Sequence, residues 1–210
     1  MNTTPDQAVY RIHRFYKKSD RPQKYRSSYE VTEERSGRIM ASGDLIGQAV
    51  FATHTFLDQD NQAWQMKPNR NIMPSRWMVA DPGGRLVLQF DQKILGKMVN
   101  PLYKVALAIL DAEGREIYRL VDPRTNIPDR IMAANVGEWA IVEGDRPVAK
   151  LCWLPRKKDP PKGMFKALKK FFTASDRAVV SAGSRHILPA PAALGMLLLF
   201  DQLTDVSGSG

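Results

Sequence analysis

The stretch from Ile187 to Phe200, ILPAPAALGMLLLF, is apolar on nearly every side. A helix without a polar face has to be buried all round. Pro191 suits a first helical turn, and from Ala192 to Thr204 only Gly195 opposes a helix. A membrane span needs about 20 apolar residues to cross ~30 Å of hydrocarbon, and runs of about 10–14 belong more often to core helices. A helix over 190–204 is ~22 Å long at 1.5 Å per residue. A seven-residue strand is ~23 Å long at about 3.3 Å per residue, so the two match in height. The rest of the chain is expected to wrap this rod.

The sequence upstream supplies such a wall. Short β-rich runs lead repeatedly through tight polar turns into second β-rich runs. Tyr29–Glu33 turns into Arg38–Ala41, and Gln48–Leu57 turns at Asp58-Gln59-Asp60-Asn61 into Gln62–Lys67. Arg76–Ala80 turns at Asp81-Pro82-Gly83-Gly84 into a strand with Leu86, Leu88 and Phe90 on one face. Leu102–Leu110 puts Tyr103, Val105, Leu107 and Ile109 on one face and turns at Asp111-Ala112-Glu113-Gly114 into Arg115–Val121. Glu138–Val142 turns at Glu143-Gly144-Asp145-Arg146 into Pro147–Leu154. Period-2 alternation bounded by Pro, Gly and Asp turns is the mark of an antiparallel meander. Strands at Val9–Phe15 and Arg177–Ser184 bring the count to about twelve. A closed barrel of that size is too wide to fill with its own side chains and needs a plug or a ligand. The expected fold is mainly β: a single closed antiparallel barrel of about twelve strands around a central hydrophobic C-terminal α-helix. The expected domain covers residues 8–204 with the helix at 190–204, an N-terminal tail at 1–7, and a flexible tail or linker at 205–210.

Charge is concentrated. The chain carries a formal +9, yet Arg11 to Arg26 holds seven basic residues and one acid, and so does Arg156 to Lys170. The remainder is mildly acidic. Such segments attract anionic partners through long-range, salt-screened forces. In the second, Pro155, Pro160 and Pro161 mark an insertion between strands, and Gly163–Phe172 reads as a short helix. Phe165, Leu168 and Phe172 share one face, with Lys162, Lys166, Lys169 and Lys170 around it. Lysines flanking an aromatic stripe suit the headgroup boundary of an anionic membrane. The same stripe also suits capping an open barrel end, with the lysines in water. The candidate anion- and lipid-binding residues are therefore Lys157, Lys158, Lys162, Lys166, Lys169 and Lys170, joined by Arg11, Arg14, Lys17 and Lys18. Phe165, Leu168 and Phe172 are the candidate membrane contacts.

Catalytic and metal signatures are missing. His13, His54 and His186 have no ligand-type spacing. Asp58-Gln59-Asp60-Asn61 begins like a calcium loop but lacks its Gly and closing Glu. Cys152, the only cysteine, sits in a strand beside Trp153, where an inert buried thiol is expected. Nucleophile-elbow, phosphate-loop and dinucleotide motifs do not occur. No enzyme activity, cofactor or metal is expected. No apolar secretory segment follows Met1, which points to a cytoplasmic protein, peripheral to the membrane if lipid is its partner.

The order of hairpins, with Trp77-Met78-Val79-Ala80-Asp81-Pro82-Gly83-Gly84-Arg85, Tyr103-Lys104-Val105 through Asp111-Ala112-Glu113-Gly114-Arg115, Trp139-Ala140-Ile141-Val142 and the terminal Leu194–Phe200, resembles the Tubby C-terminal-like superfamily. That superfamily includes the Tubby, LURP-one-related and phospholipid scramblase proteins. The resemblance implies a twelve-stranded barrel around a central helix, and contact with phosphoinositides or membranes through basic residues. The basic residues that Tubby-type proteins use for phosphoinositides do not align with this sequence; Lys67, Arg70 and Arg76 lie in a plausible region for such contact. The single Cys departs from the cysteine cluster of the scramblases. The leading expectation is a non-catalytic barrel module that binds an anionic phospholipid or phosphoinositide surface. One alternative is nucleic-acid binding through the two basic segments, although an aromatic platform of the kind single-strand binders use is not evident. The other is a scramblase-like membrane-associated protein.

Overall fold

The structure, a computed structural model, describes residues 6–17, 26–46, 53–70, 75–92, 105–122, 138–154 and 176–205. Twelve strands follow one another: β1 (Val9–Lys17), β2 (Arg26–Glu33), β3 (Ile39–Ile46), β4 (His54–Asp58), β5 (Ala63–Pro68) and β6 (Arg76–Ala80). The second half comprises β7 (Leu86–Asp91), β8 (Val105–Asp111), β9 (Glu116–Val121), β10 (Trp139–Glu143), β11 (Arg146–Leu154) and β12 (Asp176–Ser181). Every strand pairs antiparallel with its sequence neighbours, and β1 pairs with β12 to close the barrel. Helix α1 (Ala190–Asp205) follows the last strand.

The helix runs inside the wall. Ala192, Ala193, Leu194 and the run from Met196 to Phe200 are buried, and they share one core with Ile12, Val31, Phe56, Trp77, Phe90, Leu107, Ile141 and Val179. These are the alternate, inward positions of their strands, as period-2 geometry requires. The Phe200 ring meets Trp139 edge to face at 5.0 Å. Among the described residues, no helix is long and apolar enough to cross a membrane.

Small residues decide where helix and wall come closest. A Cβ on Gly195 would lie 2.9 Å from Met66 Sδ and 3.5 Å from the Phe56 and Phe90 rings. On the wall opposite, a Cβ on Gly43 would lie 2.7 Å from Phe56 Cδ1. The Phe56 ring fills the space that these two glycines leave, one on β3 and one on α1.

Three hairpins close with a shared device. Asp58, Asp81 and Asp111 each end a strand or begin a turn, and each accepts the backbone N–H four residues on, at 2.8–2.9 Å. The residue just before that donor has positive φ: Asn61 at 58°, Gly84 at 78° and Gly114 at 85°. A tight turn followed by a left-handed residue matches the twist of the flanking strands. Arg85 and Arg115 add side-chain bonds to the same carboxylates, at 3.1 and 2.7 Å. Burial alone pushes the Asp58 carboxyl up, but bonds from the Gln62 and Asp60 N–H groups and Trp64 Nε1 outweigh it and hold the group below its usual range. The turn that begins like a calcium loop thus uses its carboxylate to fasten itself.

Candidate functional site

In an up-and-down barrel the connections alternate between two ends, and here the ends differ. One end carries the short turns: 34–38, 59–62, 81–85, 112–115 and 144–145, with 182–189 leading into the helix. Its charges cancel, with Arg35, Arg38, Arg85, Arg115 and Arg185 set against Glu34, Asp60, Asp81, Glu113 and Asp145. The other end carries 18–25, 47–53, 69–75, 92–104, 122–138 and 155–175. These contain sixteen Lys and Arg: three before β2, one before β6, three before β8, two before β10 and seven before β12. Against them stand five acids, one before β2, three before β10 and one before β12. By sequence, the connections that attach at one end of the barrel are neutral and those that attach at the other are strongly basic.

The two richest segments leave from adjacent strands. Residues 18–25 begin where β1 ends, and 155–175 finish where β12 begins; β1 and β12 are partners, with Arg11 opposite Ala178 and Ile12 opposite Arg177. The seam is fastened by charge. Asp176, the first residue of β12, keeps only 3% of its side chain exposed, with its Oδ2 3.1 Å from His13 Nδ1 and 3.7 Å from an Arg11 guanidinium nitrogen. Arg11 in turn grips Glu34 with two bonds of 2.5 and 2.8 Å. This hydrogen bonding to Glu34 is the main reason its already high pKa rises further. His13 Nε2 sits 3.4 Å from Thr32 Oγ1. A buried carboxylate requires partners of this kind, because an isolated one costs several kcal/mol.

Of the residues singled out from sequence, Arg11 is therefore engaged in the wall. Arg14 lies over the Tyr29 ring, 5.7 Å from its centroid. Lys17 ends β1. Lys18, Lys157, Lys158, Lys162, Lys166, Lys169, Lys170, Phe165, Leu168 and Phe172 lie outside the described residues. Lys67 and Arg70 are exposed at the basic end, and among the described residues neither has an acidic partner. Arg76, in contrast, pairs with Asp91 at 2.9 Å. Arg177 stacks on the Trp153 ring, a contact between inward positions of neighbouring strands. Sequence reading missed the Asp176 network and this stack, since both depend on which distant strands meet.

The histidines are not brought together. His13 belongs to the seam, and His54 is buried beside Phe56 with ring centroids 6.2 Å apart. His186, at the neutral end, stacks flat on Tyr10 at 3.5 Å with its Nε2 3.6 Å from Glu33 Oε1. Among the described residues, no group of three His, Cys, Asp or Glu is placed to hold a metal ion. Burial pushes the Cys152 thiol up to about 11, too high for a reactive thiolate at neutral pH.

The His186 stack makes stability pH-dependent. Burial holds His186 below its usual value of 6.5 in the fold, and Glu33 only partly offsets this. The unfolded chain then takes up that proton more readily, so stability is full above about pH 6.5 and falls as the pH drops. Glu33, lowered chiefly by its bond from Ser36, adds a loss of the same sign at lower pH. The urea midpoint is expected to fall between pH 7.5 and 5. His186→Phe, which keeps the stack but cannot titrate, is expected to flatten that fall. An unchanged pH dependence in the variant would place the titration elsewhere.

No family model matches the chain, and no curated protein matches it in sequence. Among solved structures, it is similar to a protein from Arabidopsis thaliana determined by X-ray crystallography. The two share 11% identity across 95% of this chain and 92% of that one, with a TM-score of 0.49.

Proposed function

We propose that this chain is a non-catalytic, Tubby-like barrel module that docks its basic end on an anionic phospholipid or phosphoinositide surface. The observation that supports this reading is that the two basic segments attach to partnered strands, β1 and β12. They lie about 130 residues apart in sequence, yet both are tied to the β1–β12 seam at one end of the barrel. Exposed Lys67 and Arg70 belong to that end too. A barrel with one basic end and one neutral end is steered in a defined orientation by a negative surface. The Tubby-like assignment rests on the order of hairpins with the apolar helix last, and on that helix lying inside the closed wall.

Each lysine near an anionic bilayer contributes about 1 kcal/mol. Lys166→Glu, Lys169→Glu and Lys170→Glu together remove about 3 kcal/mol, roughly a hundredfold in partitioning, before any repulsion is counted. The test is sedimentation with vesicles of acidic or neutral lipid. Binding is expected to acidic vesicles only, to weaken as salt rises, and to drop at least a hundredfold in the triple variant. Equal binding to both vesicle types, or an unchanged triple variant, would overturn the reading.

A further inference from the structure

The outer wall of the barrel is not uniform. Around β1 and β2 it carries Arg11 paired with Glu34, and from β9 to β11 it carries Arg119 paired with Glu116 and Lys150 paired with Glu138. Along β4, β5 and β6 the outward positions are Thr55, Leu57, Ala63, Gln65, Met78 and Ala80, none of them charged. Among the described residues, the large hydrophobic side chains left exposed are Leu57 at 39%, Met78 at 36% and Ile39 at 49%, and Ile39 begins the neighbouring β3. Scattered singly such side chains are ordinary, but gathered on adjoining strands they mark a contact surface. Charge borders this face at both ends. At one end the β4–β5 turn supplies Asp58 and Asp60. At the other, β5 runs out through exposed Lys67, opposite Met78, to exposed Arg70. Nearby Arg76 and Arg85 are held by Asp91 and Asp81, whereas Asp60, Lys67 and Arg70 have no ion-pair partner among the described residues. The β4–β5 hairpin is thus negative at its turn, positive at its open end and uncharged between.

We propose that this face receives a second copy of the chain turned end for end, so that Lys67 and Arg70 of each copy meet Asp58 and Asp60 of the other across the uncharged middle. The argument for this occupant is charge complementarity. A two-fold axis perpendicular to the strands sets the patch against itself with its ends exchanged, and both borders then attract. A two-fold axis along the barrel would set Asp60 against Asp60 and Lys67 against Lys67, and like charges brought together in this way oppose association. The face from β3 to β6 measures about 20 Å each way, from about 4.8 Å between strands and about 3.3 Å per residue. That is small for a protein contact, and small contacts belong to weak, reversible pairs. In such a pair the two basic ends point in opposite directions, so only one of them can meet a given flat anionic surface.

The pairing does not depend on lipid binding. Sedimentation velocity of the full chain at low salt is expected to show a dimer that dissociates on dilution and as salt rises. Lys67→Glu with Arg70→Glu reverses one border, and Gln59→Lys with Asp60→Lys reverses the other. Each pair is expected to weaken association at least about tenfold. All four substitutions in one chain exchange the borders, and are expected to restore association to within about threefold of the native value. Met78→Lys is expected to weaken it at least about tenfold by placing a charge in the middle of the contact, with the melting temperature unchanged because the side chain is exposed. The variant at Gln59 and Asp60, far from the basic end, is expected to lose self-association and keep its binding to acidic vesicles, which separates failure of this pairing from failure of the lipid reading. A chain that stays monomeric at every concentration, or a dimer that none of these substitutions weakens, would overturn the proposal. So would a monomer whose vesicle binding is abolished by Met78→Lys, which would give the face to lipid.

Discussion

Leu198→Asp is expected to yield no soluble, folded protein. Leu198 lies in the middle of α1, is 3% exposed, and is surrounded by the inward side chains of the wall. Replacing it with Asp removes a buried leucine, which costs about 2–5 kcal/mol. It also places a carboxylate among apolar groups, and an unpaired buried charge costs several kcal/mol more even after relaxation. A domain of this size is stable by about 5–15 kcal/mol in total, so the two terms together consume most or all of it. The helix cannot rotate the Asp out to water, because Met196, Leu197 and Leu199 on its other faces are as deeply buried. Expression of the variant, followed by size-exclusion chromatography and thermal melting, checks this. A soluble variant with a cooperative melt would mean that the helix can leave the barrel without loss of the fold.

The second large effect centres on Phe56. It is 1% exposed and its ring occupies the gap between Gly43 on β3 and Gly195 on α1. Phe56→Ala is expected to destabilise by about 3–5 kcal/mol, lowering the melting temperature by roughly 6–20 °C. The cost belongs at the upper end, because neither glycine has a side chain that can move into the cavity. Gly43→Ala in the native background is also destabilising, by about 1–3 kcal/mol, since its Cβ would lie 2.7 Å from the Phe56 ring. Combined, the two should cost less than their sum, because the new methyl group enters the space that the ring vacated. Urea unfolding of both single variants and the double variant measures the coupling. Strict additivity would mean that the ring and Gly43 do not compete for the same space.

Much of the wall was legible in the sequence, for a local reason. Leu88 and Phe90, or Leu107 and Ile109, alternate with outward residues, and each Asp-x-x-Gly-Arg turn carries its own left-handed residue and its own carboxylate acceptor. Boundaries were less legible where pairing, and not apolar content, extends a strand. β2 begins at Arg26, three residues before the apolar pattern starts, and β3 runs on through Ser42, Gly43 and Asp44 to Ile46. The Ser28 hydroxyl donates to Asp44 at 2.5 Å and the backbones stay in register, which no periodicity of hydrophobic residues announces. In the opposite sense, β4 starts at His54, beyond the expected Gln48, with 48–52 outside the described residues. β12 stops at Ser181, short of Ser184, where the chain turns toward the barrel interior to begin α1.

The candidate site divides along the same line. The two basic segments, the stripe of Phe165, Leu168 and Phe172, and the wholly apolar helix were present in the residue order, because charge content and helical spacing are properties of neighbours. Their relation was not. That the two basic segments attach to neighbouring strands follows from the pairing of the first strand with the last, and the burial of Asp176 follows from Arg11 and His13 arriving from the far end of the chain. Sequence alone determined a β wall, a rod to fill it, and two concentrations of positive charge. Antiparallel alternation makes both basic segments attach at the same end of the wall, and closure of the barrel makes the strands they attach to partners. The physical reason is that strand alternation specifies which face of a strand is buried, while the partner of an edge strand is settled only when the sheet curls far enough for its two edges to meet.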